Sequence, residues 1–210
     1  MQGTTGADNI YQLVDYNCED YMSVMTRERL LNEADHLMRE RGYSAFSYAD
    51  LSKSIGITKA SIHHHFPTKD VLGEQVVIQA HTDTKNRFEQ IEKTENTVAQ
   101  MLTAYVELFI ESYRTSRMPL CCALSAEMAN LPPNIRVQAT EYFDMQIAWL
   151  TKIVSRGVDA GELTADLPPS KMALLILNLC EGASVVSRAI NKPELFNDTL
   201  EQILMIVKRK

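Results

Sequence analysis

The 210-residue chain lacks any long apolar run. Its longest, residues 172–177, is broken soon after by Asn178 and Glu181. A membrane-crossing helix needs about 18 or more such residues, so no span is expected. The first residues carry neither a basic start nor an apolar stretch, which argues against a signal peptide. Cysteine is scarce: the four thiols, Cys18, Cys121, Cys122 and Cys180, have no metal-ligand spacing, and the neighbours Cys121 and Cys122 cannot readily bridge each other. A reduced, cytoplasmic protein with no metal and no cofactor is the expectation. No nucleophile–base pair, metal set or phosphate loop is visible, so catalysis is not expected. Nothing alternates apolar with polar residues as a half-buried strand would, and neither an internal repeat nor a low-complexity linker occurs.

What remains is helix. Leu30, Leu31, Ala34, Leu37 and Met38 recur at helical spacing after Thr26, a candidate N-cap, and Gly42 closes that helix. Ser47, with Asp50 three residues on, opens a second helix that ends at Gly56. Thr58 caps a short third helix stopped by Pro67, and Thr68 caps a long fourth through Ile91. Further helices are expected from Val98 to before Pro119, over about 121–130, over 135–160 with Gly161 as C-cap, over 170–190, and after Pro193. The fold class is therefore all-α, about nine helices, with a compact head of three.

Charge is unevenly spread. Residues 1–25 hold four acids and no lysine or arginine; residues 26–69 hold seven bases against five acids, although the whole chain has a net charge of −6. Only the head is net positive, and only a contacting face must neutralise phosphates. The acidic residues 1–25 would be repelled by DNA. A helix over about 10–22 packing on the protein's own body is one reading of them.

Residues 47–69, SYADLSKSIGITKASIHHHFPTK, meet the demands of a helix-turn-helix together. Ser52 is small where the helices cross, Gly56 accepts positive φ in the turn, and Leu51, Ile55, Ile57, Ile62 and Phe66 face inward. Thr58, Lys59, Ala60 and Ser61 open the second helix with short or basic side chains suited to base edges and phosphates. Two lures are set aside. Consecutive helical residues point about 100° apart, so His63, His64 and His65 cannot converge on one ion. Glu33 and His36 form a lone E-x-x-H without the second copy that a di-iron bundle needs.

The stretch IGITKASIHHHFPTKDVL, with the preceding RERLLNEADHLMRERGYSAFSYADLSKS, resembles the signature of the tetracycline-repressor family of bacterial transcriptional regulators over residues 26–72. The resemblance implies a homodimer that binds a palindromic operator and is released by a small organic effector. It divides the chain into an acidic extension (1–25), a DNA-binding head (26–70) and a helical ligand-binding and dimerisation domain (71–210). Carried over by position, Thr58, Lys59 and Ser61 face bases or nearby phosphates, while Ser47, Tyr48, His64 and Lys69 hold the backbone. The family usually has a tyrosine where this chain has His63; a histidine can contact phosphate too, better when protonated. A helical enzyme or small-molecule carrier without a DNA-binding role is the alternative.

In the body, helices over 170–190 and 194–207 are expected to pair two subunits, with Gly182, Ala183, Ser184 and Ser187 allowing close approach. Tyr105, Phe109, Tyr113, Tyr142 and Trp149, with the polar Gln146, Asn178 and Glu181, are candidate pocket residues. Glu181 could instead pair across the dimer. The segment MPLCCALSAEM resembles a stretch of a family subgroup reading Cys-Leu-Cys-Gly and then Ala-Glu, some of whose members sense electrophiles or oxidants through a nearby cysteine. Cys121 and Cys122 are therefore candidates for the pocket, as sensor thiols or as small core residues.

Overall fold

The computed structural model describes residues 18–208, and among them the secondary structure is helical apart from one isolated bridge, Leu163 to Lys208. The helices are α1 (Cys18–Arg41), α2 (Tyr48–Ile55), α3 (Lys59–His65), α4 (Lys69–Thr94), α5 (Val98–Arg114), α6 (Leu120–Glu127), α7 (Pro133–Asp159), α8 (Pro169–Ile190) and α9 (Leu195–Val207). The all-α expectation holds. Most of the helix over 10–22 suggested by the sequence lies outside the described residues.

Local chemistry sets most of the boundaries. Ser47 and Asp50 form a reciprocal capping box at the start of α2, and Gly56 ends it at φ 78°. Thr58, Thr68 and Thr97 each accept a backbone N–H at the starts of α3, α4 and α5. Thr26 is a correction. It lies inside α1, which begins at Cys18, and its hydroxyl donates back to the Met22 carbonyl rather than capping anything. Helix α6 stops at Glu127 rather than near 130, and α7 is capped by Ala160 rather than Gly161, which lies at positive φ just beyond.

Two apolar clusters form the core. The first joins Leu30, Leu37, Leu51, Ile62 and Phe66 of the head to Leu72 and Val76 of α4, Leu120 and Leu124 of α6, and Ile135 and Tyr142 of α7. The head's core therefore continues past residue 70 into the body. The second cluster is body alone, built from α5, α7, α8 and α9 with Phe88 and Ile91 of α4. Helix α8 is long and apolar enough to cross a membrane by length and composition. Here Met172, Ile176, Leu177 and Cys180 are buried within that second cluster.

Candidate nucleic-acid interface and internal cavities

The helix-turn-helix is held from within. Leu51 and Ile62 are fully buried, and Phe66 nearly so. Ser52 does more than make room: its hydroxyl donates to the Ile57 carbonyl at 2.6 Å and closes the turn. Arg29 of α1 donates to the Ile55 carbonyl at 3.1 Å, satisfying a terminal acceptor of α2. The Arg27 guanidinium lies 5.0 Å over the Phe66 ring.

On the outer surface the structure exposes Ser47, Lys59, Ala60, His63 and His64, with Ser61 half-buried. Thr58 is exposed but its hydroxyl accepts from the Ser61 N–H. Two expected backbone contacts are partly committed elsewhere. Tyr48 is buried, its hydroxyl donates to the Phe66 carbonyl at 2.8 Å, and burial pushes its pKa up to about 12. The Lys69 ammonium sits 4.4 Å over the Tyr43 ring and 4.5 Å over Phe46, and burial lowers its pKa. His63 Nδ1 lies 3.0 Å from the Pro67 carbonyl, and its ring packs edge-on against Tyr48. Donation from Nδ1 leaves Nε2 as the ring's outward nitrogen. The His64 and His65 rings meet edge to face, 5.5 Å apart. Glu33, the other lure, accepts the Ser54 hydroxyl at 2.6 Å and ties α1 to α2.

Two adjoining cavities open in the body, the smaller of them walled also by α1. One, of about 290 Å³, is lined by Phe109, Cys121, Tyr142 and Gln146 among the expected residues. The other, of about 590 Å³, is lined by Phe109 and Tyr113. Arg117 and Pro119 belong to both. The remaining expected pocket residues lie elsewhere. Tyr105 and Trp149 are core: the Trp149 ring stacks on Phe88 at 4.2 Å and on Tyr105 at 5.7 Å. Asn178 faces outward on α8, beside α9. Cys122 and Glu181 lie together between α6 and α8.

The smaller cavity's charged lining was not expected from the sequence. Asp35, Arg39, Asp83, Arg87, Glu111 and Arg117 all reach it. Burial opposes the Arg39 charge, but Asp35, 2.7 Å away, offsets this and holds the guanidinium above its ordinary pKa. Arg87 faces Glu111 at 3.6 Å. Two donors are left over: among the described residues, Arg117 Nε and Gln146 Nε2 are buried without a partner, although Gln146 Oε1 accepts the Tyr105 hydroxyl. Buried donors left unpaired are costly, and a ligand acceptor would satisfy them.

The Cys121 thiol is not poised for reaction. Contact with Cys122, burial and the nearby Glu181 push the Cys121 thiol well above its ordinary range. A protonated thiol lacks the thiolate that attacks electrophiles.

Helix α6 joins these cavities to the head. At its C-terminal end the Glu127 carboxylate accepts the Ser44 N–H at 2.8 Å and presses on Gly42. Gly42 has φ 88°, and a Cβ there would meet Glu127 Oε1 at 1.8 Å, so neither the backbone nor the space suits a side chain. Just ahead of α6, the Met118 N–H donates to the Arg39 carbonyl near the end of α1. Tyr43 adds a second tie, donating to Asp70 at 2.8 Å.

Two family models match the chain. One, described as bacterial regulatory proteins of the tetR family, covers residues 30–76, and the other, a tetracyclin repressor-like C-terminal domain, covers residues 98–203. The HTH-type transcriptional repressor DhaR of Mycobacterium sp. (strain GP1) is 24% identical, over 86% of this chain and 89% of that protein. The HTH-type transcriptional regulator CymR of Pseudomonas putida is 27% identical, over 84% and 88% respectively. A TetR-family transcriptional regulator from Agrobacterium tumefaciens superposes with a TM-score of 0.86 at 26% identity, covering 89% of this chain and 100% of that one.

Proposed function

The chain belongs to the tetR family of bacterial transcriptional regulators, which bind DNA operators and small-molecule effectors, and we propose that it acts as a homodimeric repressor released when an acceptor-bearing organic molecule enters the smaller cavity. The observation that carries this reading is α6. Cys121 at its start lines the cavity, and Glu127 at its end grips the turn between α1 and α2. A ligand that displaces α6 therefore acts on the position of the head. Binding favours whichever head spacing it fits, and the repressor leaves DNA when that spacing misses successive major grooves, about 34 Å apart.

The DNA face of this reading is Ser47, Thr58, Lys59, Ala60, Ser61, His63 and His64, with the main chain of Tyr48 and the Lys69 ammonium near the backbone. In the cavity, Arg117 and Gln146 supply the two unsatisfied donors, so a carboxylate or carbonyl is the effector group that fits. Pairing of subunits is supported by the exposed apolar face of α8 and α9, where Val185, Val186, Ile190, Met205 and Ile206 are open to solvent. Of the four small residues expected there, Gly182 has open space at its Cα, whereas Ala183, Ser184 and Ser187 are buried within the subunit.

A gel shift across a salt series on DNA upstream of the protein's own gene tests the reading. Lys59→Ala should weaken binding and lower the salt slope by about one, as loss of one phosphate contact requires. Wild-type binding that ignores salt, or a variant with an unchanged slope, would sink this assignment of the DNA face. Equilibrium sedimentation checks the pairing, with Val186→Glu expected to yield monomer.

A further inference from the structure

We propose that Cys121, Cys122 and Glu181 form a site for one thiophilic divalent cation of the zinc–cadmium kind, held between α6 and α8. The cluster joins residues sixty positions apart, which is why cysteine spacing alone gave no sign of it. Cys121 Sγ lies 2.7 Å from Glu181 Oε1, and Cys122 Sγ lies 2.5 Å from Oε2. One ligand atom from each residue lies within 4.8 Å of the others. Two sulfurs bound to a tetrahedral zinc ion sit about 3.8 Å apart, given Zn–S bonds near 2.3 Å, which falls within the 4.8 Å that bounds this cluster, and the Glu181 carboxylate would draw back from the thiols to admit the ion.

Electrostatics point the same way. Three acidic groups share a largely buried position, and no lysine or arginine pairs with Glu181 among the described residues. Burial raises the Glu181 carboxyl, and contact with the two thiols only partly offsets this. A cation is the charge this cluster lacks. On entry it displaces one proton from each thiol, and the carboxyl proton where present, and forms two metal–sulfur bonds and one metal–oxygen bond. A fourth position is left for water or another ligand. Two thiolates with one carboxylate favour zinc or cadmium over the oxygen-seeking magnesium and calcium. Cys121 also lines the smaller cavity, and Glu181 is only half-buried, so the ion has a route in.

The site does not depend on the effector reading above, and its test needs no DNA. Full-length protein, kept reduced with a phosphine, is titrated with Cd²⁺ while ultraviolet thiolate-to-metal charge transfer is followed. The band should saturate at one equivalent per subunit, weaken at least tenfold in affinity in Cys121→Ser and in Cys122→Ser, and be displaced by Zn²⁺ but not Mg²⁺. Glu181→Gln should keep the band yet bind more weakly, because it removes the oxygen ligand and no sulfur. Far-ultraviolet circular dichroism confirms that each variant is folded. In the wild type, Zn²⁺ should also raise the melting temperature, and by less in Glu181→Gln at the same metal concentration. No band in the wild type, a band unchanged in the Cys121→Ser/Cys122→Ser double variant, or one abolished by Cys180→Ser alone would overturn the proposal.

Discussion

The head and the body use polar groups in opposite ways. In the head they are consumed locally: Ser47, Ser52, Thr58 and Tyr48 each bond within twenty residues, and the outer surface keeps only what the turn does not need. In the body, among the described residues, Gln146 and Arg117 each bury a donor atom that goes unused, and the Glu181 carboxylate is met only by thiols. A rigid reader needs the first arrangement. A sensor needs the second, because unspent polar groups are what a small molecule can satisfy.

The contrast can be broken most severely at Phe66. Its ring is 1% exposed in the cluster that joins head and body, so Phe66→Ala should cost about 3–5 kcal/mol and abolish DNA binding. Chemical denaturation checks it; a loss confined to DNA affinity, with an unchanged midpoint, would mean that head and body do not share this cluster.

Next in size is the joint. Glu127→Ala removes a charge-assisted bond to the Ser44 N–H and should cost about 1.5–3 kcal/mol. Its sharper signature is functional: operator binding persists while effector release weakens. If release is unaffected, α6 is not the connection. The cap at the reading helix is smaller, with Thr58→Ala expected to cost about 1 kcal/mol in thermal or denaturant unfolding.

The smallest effect separates the two regions by pH. Glu181 has its carboxyl raised by burial, so its folded state favours the protonated form. That contribution is fully present below the ordinary carboxyl pKa of 4.5 and is lost as pH rises through the folded value. Glu181→Gln, which imitates the protonated group, should match wild type near pH 4 and gain relative stability toward pH 7. Asp50 in the head runs the other way. Its hydrogen bonds to Ser47 lower its pKa, so that contribution is lost as pH falls. Melting curves of Glu181→Gln and Asp50→Asn should therefore both depart from wild type toward neutral pH and converge with it on acidification, the first variant more stable than wild type and the second less.

The same contrast explains what could be read in advance. Ser47 with Asp50, Gly56, and Thr58 with Ser61 act over three or four residues, so sequence spacing carried them intact. Thr26 misled because a capping residue is informative only where a helix begins, and α1 begins eight residues earlier. Arg39, Asp83 and Arg117 meet at one cavity only after α1, α4 and the segment after α5 have packed. Aromatic content pointed to Tyr105 and Trp149, but large rings reward burial in the core at least as well as in a pocket.

Trp149 is the chain's one tryptophan, and it gives the body a built-in fluorophore that the head lacks. Its indole N–H donates to the Glu92 carboxylate at 3.0 Å, its ring stacks on Phe88, and Tyr105 beside it reaches the cavity-lining Gln146. Tryptophan emission, excited at the red edge where the head's Tyr43 and Tyr48 do not absorb, thus watches the sensing half alone. A compound that fills the cavity should shift its colour, and DNA bound at the far end should register there only as much of its arrival as α6 passes on.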